Sequence, residues 1–164
     1  MVRLINDHKI NLGCGTDKKE GYINVDSNPE VYPDMLADLM KPLPFEDNSV
    51  DEVLAWNVME HLPGLHPMYL LREVYRILKP EGVFKFRVPM ANTITAHIAI
   101  DHISSFTPRS FECKPWHKYN FKRKIRLTLP LFHKIKFPEW CWYFNYIYSN
   151  LFTGIEGELI KNGR

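Results

Sequence analysis

Lys9–Asp26 reads KINLGCGTDKKEGYINVD, and the rest of the chain is read outward from it. An apolar run carried by Ile10 and Leu12 stops at Gly13-Cys14-Gly15. A second short run, Tyr22–Val25, ends in Asp26. A strand that breaks into a glycine turn, followed by a strand that ends in an acid, is how an open α/β sheet builds a nucleoside pocket. Gly13 and Gly15 let the backbone turn sharply and approach a ligand, since neither carries a Cβ. An ionised acid at the strand tip can accept both hydroxyls of a ribose. The spacing argues against a dinucleotide: the third glycine position is Lys18, and the acid follows Gly13 sooner than the roughly 20 residues that fingerprint needs. By themselves these residues also describe a tight turn with no ligand. Only Gly13–Gly21 separates the two strands, too short for the usual crossover of about ten or more residues. The first crossover helix is therefore expected to be truncated.

Downstream, Val50–Trp56 (VDEVLAW) reads as a buried strand and Asn57–Leu62 as a loop or helical turn. Pro67–Lys79 reads as a helix with Leu70, Leu71, Val74, Ile77 and Leu78 on one stripe. Pro80-Glu81-Gly82 stops it, and Val83–Val88 (VFKFRV) is the next strand. A parallel strand covered on both sides should be apolar on both. Here Lys85 and Arg87 alternate with Phe84, Phe86 and Val88, so one face of the sheet is expected to be thinly covered. Ile94–Ile100 is a possible helix and Tyr119–Leu129 alternates weakly. Pro138 is placed to begin a helix to about Leu151, and Ile155–Ile160 is a last strand.

The 164 residues, 45% hydrophobic and 24% charged, suit one globular domain over 1–164. No apolar run reaches the roughly 18 residues of a membrane span, and no apolar segment led by Lys or Arg marks a signal peptide. Three widely spaced cysteines, Cys14, Cys113 and Cys141, suit a reducing cytosol. A cytoplasmic protein is the expectation. No Cys/His spacing has the form of a zinc site, and no structural metal is expected. Residues 1–100 are net acidic, whereas 101–164 are net basic and hold most of the aromatics, which suggests different partners for the two parts.

The succession NLGCG…GYINVD, AD-L…LPFEDNSVDEV-A-NVMEHL and E-YRILKPEG…VP resembles the class I S-adenosylmethionine-dependent methyltransferases, in particular their small type-11-like branch. The likeness runs from Lys9 to about Pro89 and continues more weakly beyond. It implies a Rossmann-like α/β fold with a mostly parallel seven-stranded sheet and a reversed last strand, and S-adenosyl-L-methionine as cofactor. It also implies that Leu12, Gly13, Cys14 and Gly15 form the glycine loop under the methionine end. Asp26, with Ser27 beside it, corresponds to the ribose-binding acid, Asp38 and Leu39 to the adenine edge, and Asn57 to the lining of the sulfonium end. Free backbone N–H groups after the glycine loop would then form a nest for the methionine carboxylate.

Methyl transfer asks the protein mainly to hold a nucleophile aligned with the cofactor. A general base adds about 10²–10⁴-fold for a hydroxyl acceptor. Asp101 and His102 are the preferred base pair, because they follow the fifth strand where substrate loops gather. The bland reading is a loop acid beside a surface histidine. His61 lines the same pocket or is a satisfied turn histidine. His97 reads as solvent-facing and Cys14 as a small loop filler. The basic stretch 118–136 suits nucleic acid or a sheet edge guarded by charge. Trp140–Leu151 reads as a membrane-interface helix, a cover for the sheet, or a homodimer contact through 138–152. The function expected is methyl transfer to a small-molecule or glycan acceptor. The alternatives are an RNA methyltransferase and a non-catalytic adenosylmethionine-binding module.

Overall fold

A computed structural model describes residues 9–91, 93–97, 99–112, 119–128, 136–138 and 153–163. Strands β1 (Lys9–Leu12), β2 (Ile23–Asp26), β3 (Met35–Leu36) and β4 (Val50–Trp56) come first. Helix α1 (His66–Ile77), strand β5 (Leu78–Pro89) and the short helix α2 (Ile94–His97) follow. Strands β6 (Phe121–Thr128), β7 (Lys136–Pro138) and β8 (Gly154–Lys161) complete the described strands, and short 3-10 segments lie at Pro29–Val31, Met59–His61 and Pro108–Glu112. They form one sheet in the order β3-β2-β1-β4-β5-β8-β6-β7. The first five strands are mutually parallel. β8 runs antiparallel to both β5 and β6.

The mostly parallel α/β sheet with a reversed last strand is therefore present. It carries one strand more than expected: Lys136–Pro138 pairs with β6 as an eighth, edge strand. Pro138 ends that strand rather than starting a helix, as suits a residue that has no N–H to donate and sits at a sheet edge. The expected helix beyond it, and the homodimer contact through 138–152, lie outside the described residues. The β1–β2 crossover contains no helical turn. α1 ends at Ile77, two residues before Lys79, because Leu78 already pairs with Val50. Pro80-Glu81-Gly82 forms an irregularity inside a longer β5, with Glu81 at φ +65°. The expected helix over Ile94–Ile100 is found at Ile94–His97.

Side-chain parity divides the sheet into two unlike faces. Ile10, Leu12, Val25, Val53, Ala55, Phe84, Phe86 and Val88 are buried with Leu70, Leu71, Val74 and Ile77 of α1 in one apolar core. The other face is polar and half-exposed. In register across it, Lys85 and Lys124 flank Glu158, and Arg87 and Arg126 flank Glu156. Arg87 Nη2 lies 2.6 Å from Glu156 and Lys85 Nζ 2.9 Å from Glu52. Trp56 is held between the cations of Lys19 and Arg87, 4.8 and 4.9 Å from its ring. The alternation of VFKFRV thus reports a charged ladder, the cross-strand pairing that stabilises an incompletely covered sheet.

Candidate active site

The chain adds β2 and β3 on one side of β1, then β4 and β5 on the other. The crevice beyond the carboxyl ends of β1 and β4 is the switch point where open α/β sheets take ligands. Two turns meet there. Gly13, at φ +59°, would place a Cβ 2.6 Å from Val58 Cγ2, so only glycine lets the loop after β1 lie against the loop after β4. Gly15, at φ +48°, has open space where its Cβ would be. Asp26 closes the loop from below: Gly15 N–H donates to Oδ2 at 2.8 Å and Asn28 N–H to Oδ1 at 2.9 Å.

Cys14 N–H donates to the Val25 carbonyl and Gly15 N–H to Asp26, so both are engaged within the protein. Cys14 is buried, and burial, with Asp26 second, pushes its thiol above the usual range, as befits a filler and not a nucleophile. Leu12 and Leu39 are buried in the core and Ser27 is exposed. Asp38, two residues beyond β3, accepts from Met40 N–H at 2.9 Å and pairs with Lys41 at 3.3 Å. The Met40 bond leads in holding its carboxyl below the ordinary value. Asn57, at φ +54°, opens the turn after β4, its N–H donated to the Arg87 carbonyl.

On the other side of that turn the expected Asp101–His102 pair is not formed. Asp101 Oδ2 lies 3.1 Å from Nδ1 of His61, not against its neighbour. His102 Nδ1 faces the Ala96 carbonyl at 3.2 Å. The two adjacent residues lie on a turn closed by the His102 N–H to Ala99 carbonyl bond, and the loop that follows is fixed so that they face different partners. Ile103 and Ser104 N–H both donate to the Glu60 carbonyl at 2.8 Å, and Ser104 Oγ donates to the Leu62 carbonyl. The stitching lays His102 edge-on to His61, ring centres 4.9 Å apart. His61 thus stands in contact with both Asp101 and His102.

Beneath the two rings lies Glu60, fully buried, with no hydrogen-bond partner for either carboxylate oxygen among the described residues. Burial, with Asp101 adding to it, pushes its pKa up to about 7. One donor atom each from Glu60, His61 and His102 lies within 4.8 Å of the others. Sequence reasoning passed over Glu60 because an acid in a turn after a strand is ordinarily solvated. It also found no metal spacing, because the partners come from two loops forty residues apart.

The basic stretch is largely engaged where it is described. Lys124 pairs with Glu158, Arg126 stands beside Glu156, and Arg123 donates to the Phe111 carbonyl.

Known proteins agree with this architecture. Residues 14–86 match a family described as Methyltransferase domain, the type-11 branch. A SAM-dependent methyltransferase from Archaeoglobus fulgidus superposes with a TM-score of 0.73 at 19% identity, over 94% of this chain and 86% of that one. The chain has the fold of the class I S-adenosylmethionine-dependent methyltransferases. Within that fold, a Haemonchus contortus phosphoethanolamine N-methyltransferase 2, in complex with phosphomonomethylethanolamine and S-adenosylhomocysteine, matches with a TM-score of 0.72 at 15% identity. That match covers 96% of this chain and 49% of that one. The [4+2]-cyclase SpnF matches with a TM-score of 0.65 at 13% identity, over 98% of this chain and 77% of that one, so the methyltransferase fold by itself does not fix the reaction. No curated protein matches the chain. Among the described residues no helix is long and apolar enough to cross a membrane.

Proposed function

We propose that this chain binds S-adenosyl-L-methionine at the β1/β4 switch point and transfers its methyl group to a small-molecule or glycan acceptor. The observation that carries the reading is the junction of the two turns, with the Asp26 carboxylate held under the glycine loop. A carboxylate offers about four acceptor directions, and two are taken by Gly15 and Asn28. The remaining lone pairs suit the ribose hydroxyls. Asp38, kept ionised by Met40 N–H, suits the amino edge of the adenine. Asn57 and the backbone of Gly13–Gly15 line the methionine end. When bound, the cofactor supplies an electrophilic methyl group on a sulfonium.

The chain's own contribution is placement. The turn 57–62 and the loop 99–104, tied by the Glu60 carbonyl, set His61, Asp101 and His102 beside that end of the crevice. For a hydroxyl acceptor, an imidazole nitrogen of this cluster takes the proton. Asp101 holds Nδ1–H of His61, which leaves its Nε2 lone pair able to accept a proton.

Calorimetric titration with S-adenosylmethionine tests the reading. Wild type is expected to bind in the micromolar range, and Asp26→Ala to bind at least tenfold more weakly, a loss of about 1.4 kcal/mol. Asp26→Asn keeps an acceptor for Gly15 N–H and separates loss of ribose contact from loss of the loop. A wild-type protein that gives neither heat nor a thermal shift ends the assignment.

A further inference from the structure

We propose that Glu60, His61 and His102 form a binding site for a divalent transition-metal cation of the zinc type, with Asp101 and the Ala96 carbonyl as its outer shell. Three observations converge. The first is the donor set: one carboxylate and two imidazoles, with one atom of each within 4.8 Å of the others. Around an ion bonded at about 2.0–2.2 Å, three such donors sit closer than that, so the site closes by a modest movement of the two half-buried imidazoles. Two histidines and a carboxylate suit zinc and its first-row neighbours and leave positions open.

The second observation is the orientation of the rings. The Nδ1 of His61 faces Asp101 Oδ2 at 3.1 Å and the Asp101 carbonyl at 3.3 Å. The Nδ1 of His102 faces the Ala96 carbonyl at 3.2 Å. All are oxygen acceptors, so each ring donates its Nδ1–H and keeps the Nε2 lone pair. Metal-bound histidines are held in the same way, by a carboxylate or carbonyl behind the ring.

The third is Glu60. Its side chain is wholly buried and neither oxygen has a hydrogen-bond partner among the described residues. A buried, unsatisfied carboxyl costs free energy in either protonation state. A cation held between it and the imidazoles removes that cost. The stitching of residues 103 and 104 to the Glu60 carbonyl fixes the floor and the rim of the site together.

The site does not depend on methyl transfer. If the reading above holds, an ion here would also lower the pKa of an acceptor hydroxyl bound to it, so that no free imidazole is needed as base.

The test uses the full chain stripped of metal with a chelator. Zn²⁺ is titrated calorimetrically, and Co²⁺ is followed by its visible absorption. Wild type is expected to take up one ion per chain with micromolar or tighter affinity and to melt at a higher temperature with Zn²⁺ than without. Glu60→Gln and His102→Ala are each expected to weaken binding at least tenfold, and His97→Ala to leave it unchanged. Glu60→Gln keeps the size and shape of the buried side chain, so its metal-free melting temperature is expected to stay near that of wild type, which separates lost binding from lost fold. Absence of saturable binding by wild type overturns the proposal. So does binding that Glu60→Gln and His102→Ala both retain.

Discussion

Tyr22 illustrates how single side chains hold the polar face. Its O–H donates to Glu52 Oε1 at 2.6 Å, and the same oxygen receives Lys85 Nζ at 2.9 Å, so one carboxylate joins β4 and β5 to the residue before β2. Burial first, then the bond to Glu52 and its charge, pushes the Tyr22 pKa up to about 12. An unfolded tyrosine ionises near 10. Between those values the unfolded chain has released the proton and the folded chain has kept it. Stability from this group is therefore intact below pH 10 and is lost as pH rises toward 12. Tyr22→Phe is expected to cost about 1 kcal/mol at neutral pH, and its deficit relative to wild type should shrink across pH 10–12. Urea unfolding of both proteins at stepped pH measures this. A deficit constant with pH would show that Tyr22 does not hold its proton through Glu52. At this scale the sequence was informative where chemistry follows backbone position, as at Gly13 and Asp26. It was silent on Glu60 and gave Asp101 the wrong partner, His102 in place of His61, because which side chain an exposed loop residue meets depends on how two distant loops are tied together.

The β1–β2 crossover has no helix, yet it is pinned. Asn11 and Asn24, buried side by side on the polar face, do the pinning. Asn11 Nδ2 donates to Asn24 Oδ1 at 3.0 Å and to the Asp17 carbonyl at 3.1 Å. Asn24 Oδ1 also accepts Lys19 N–H, and Asn24 Nδ2 reaches Asp34 Oδ2 at 2.7 Å. The crossover backbone is thus satisfied by side-chain amides where a helix would satisfy its own. The shortness of Gly13–Gly21 made the missing helix legible. The replacement was not legible, since two asparagines thirteen residues apart carry no periodic signal. For the same reason β7 escaped notice: a three-residue edge strand is too short for alternation to show. Asn24→Ala leaves Lys19 N–H without its acceptor and Asn11 Nδ2 with the Asp17 carbonyl alone. It is expected to cost about 2–3 kcal/mol and to weaken adenosylmethionine binding, because the glycine loop begins in the same crossover. Chemical denaturation and calorimetry on one protein sample check both. Lost stability with unchanged cofactor affinity would show that the loop is held by Asp26 alone.

Across the whole molecule the sheet has two unlike parts. The strands β3-β2-β1-β4-β5 are parallel and carry the crevice, and β8-β6-β7 are antiparallel. Among the described strands the two parts are joined along β5 and β8. At that seam Phe86 stands opposite Gly157, and a Cβ on Gly157 would lie 2.1 Å from the ring. The ring has no room to withdraw: Phe86 is 1% exposed, with Phe84 and Phe111 at 5.5 and 4.8 Å between ring centres. An aromatic lying over a facing glycine is a known way to fill the gap such a residue leaves in a sheet. Gly157→Ala therefore forces either the ring from its rotamer or the two strands apart, at a cost of about 1–3 kcal/mol. Since the seam is continuous with the core around Phe84 and Val88, the loss is expected as a lower melting temperature in one cooperative transition, not as release of the antiparallel part alone. Phe86→Leu in the Gly157→Ala background should recover part of the loss, although Phe86→Leu by itself destabilises, a coupling of opposite sign to either single change. Thermal and urea unfolding of the four proteins measure it. Additive effects would show that the ring turns aside freely and that the seam is held by its ladder hydrogen bonds.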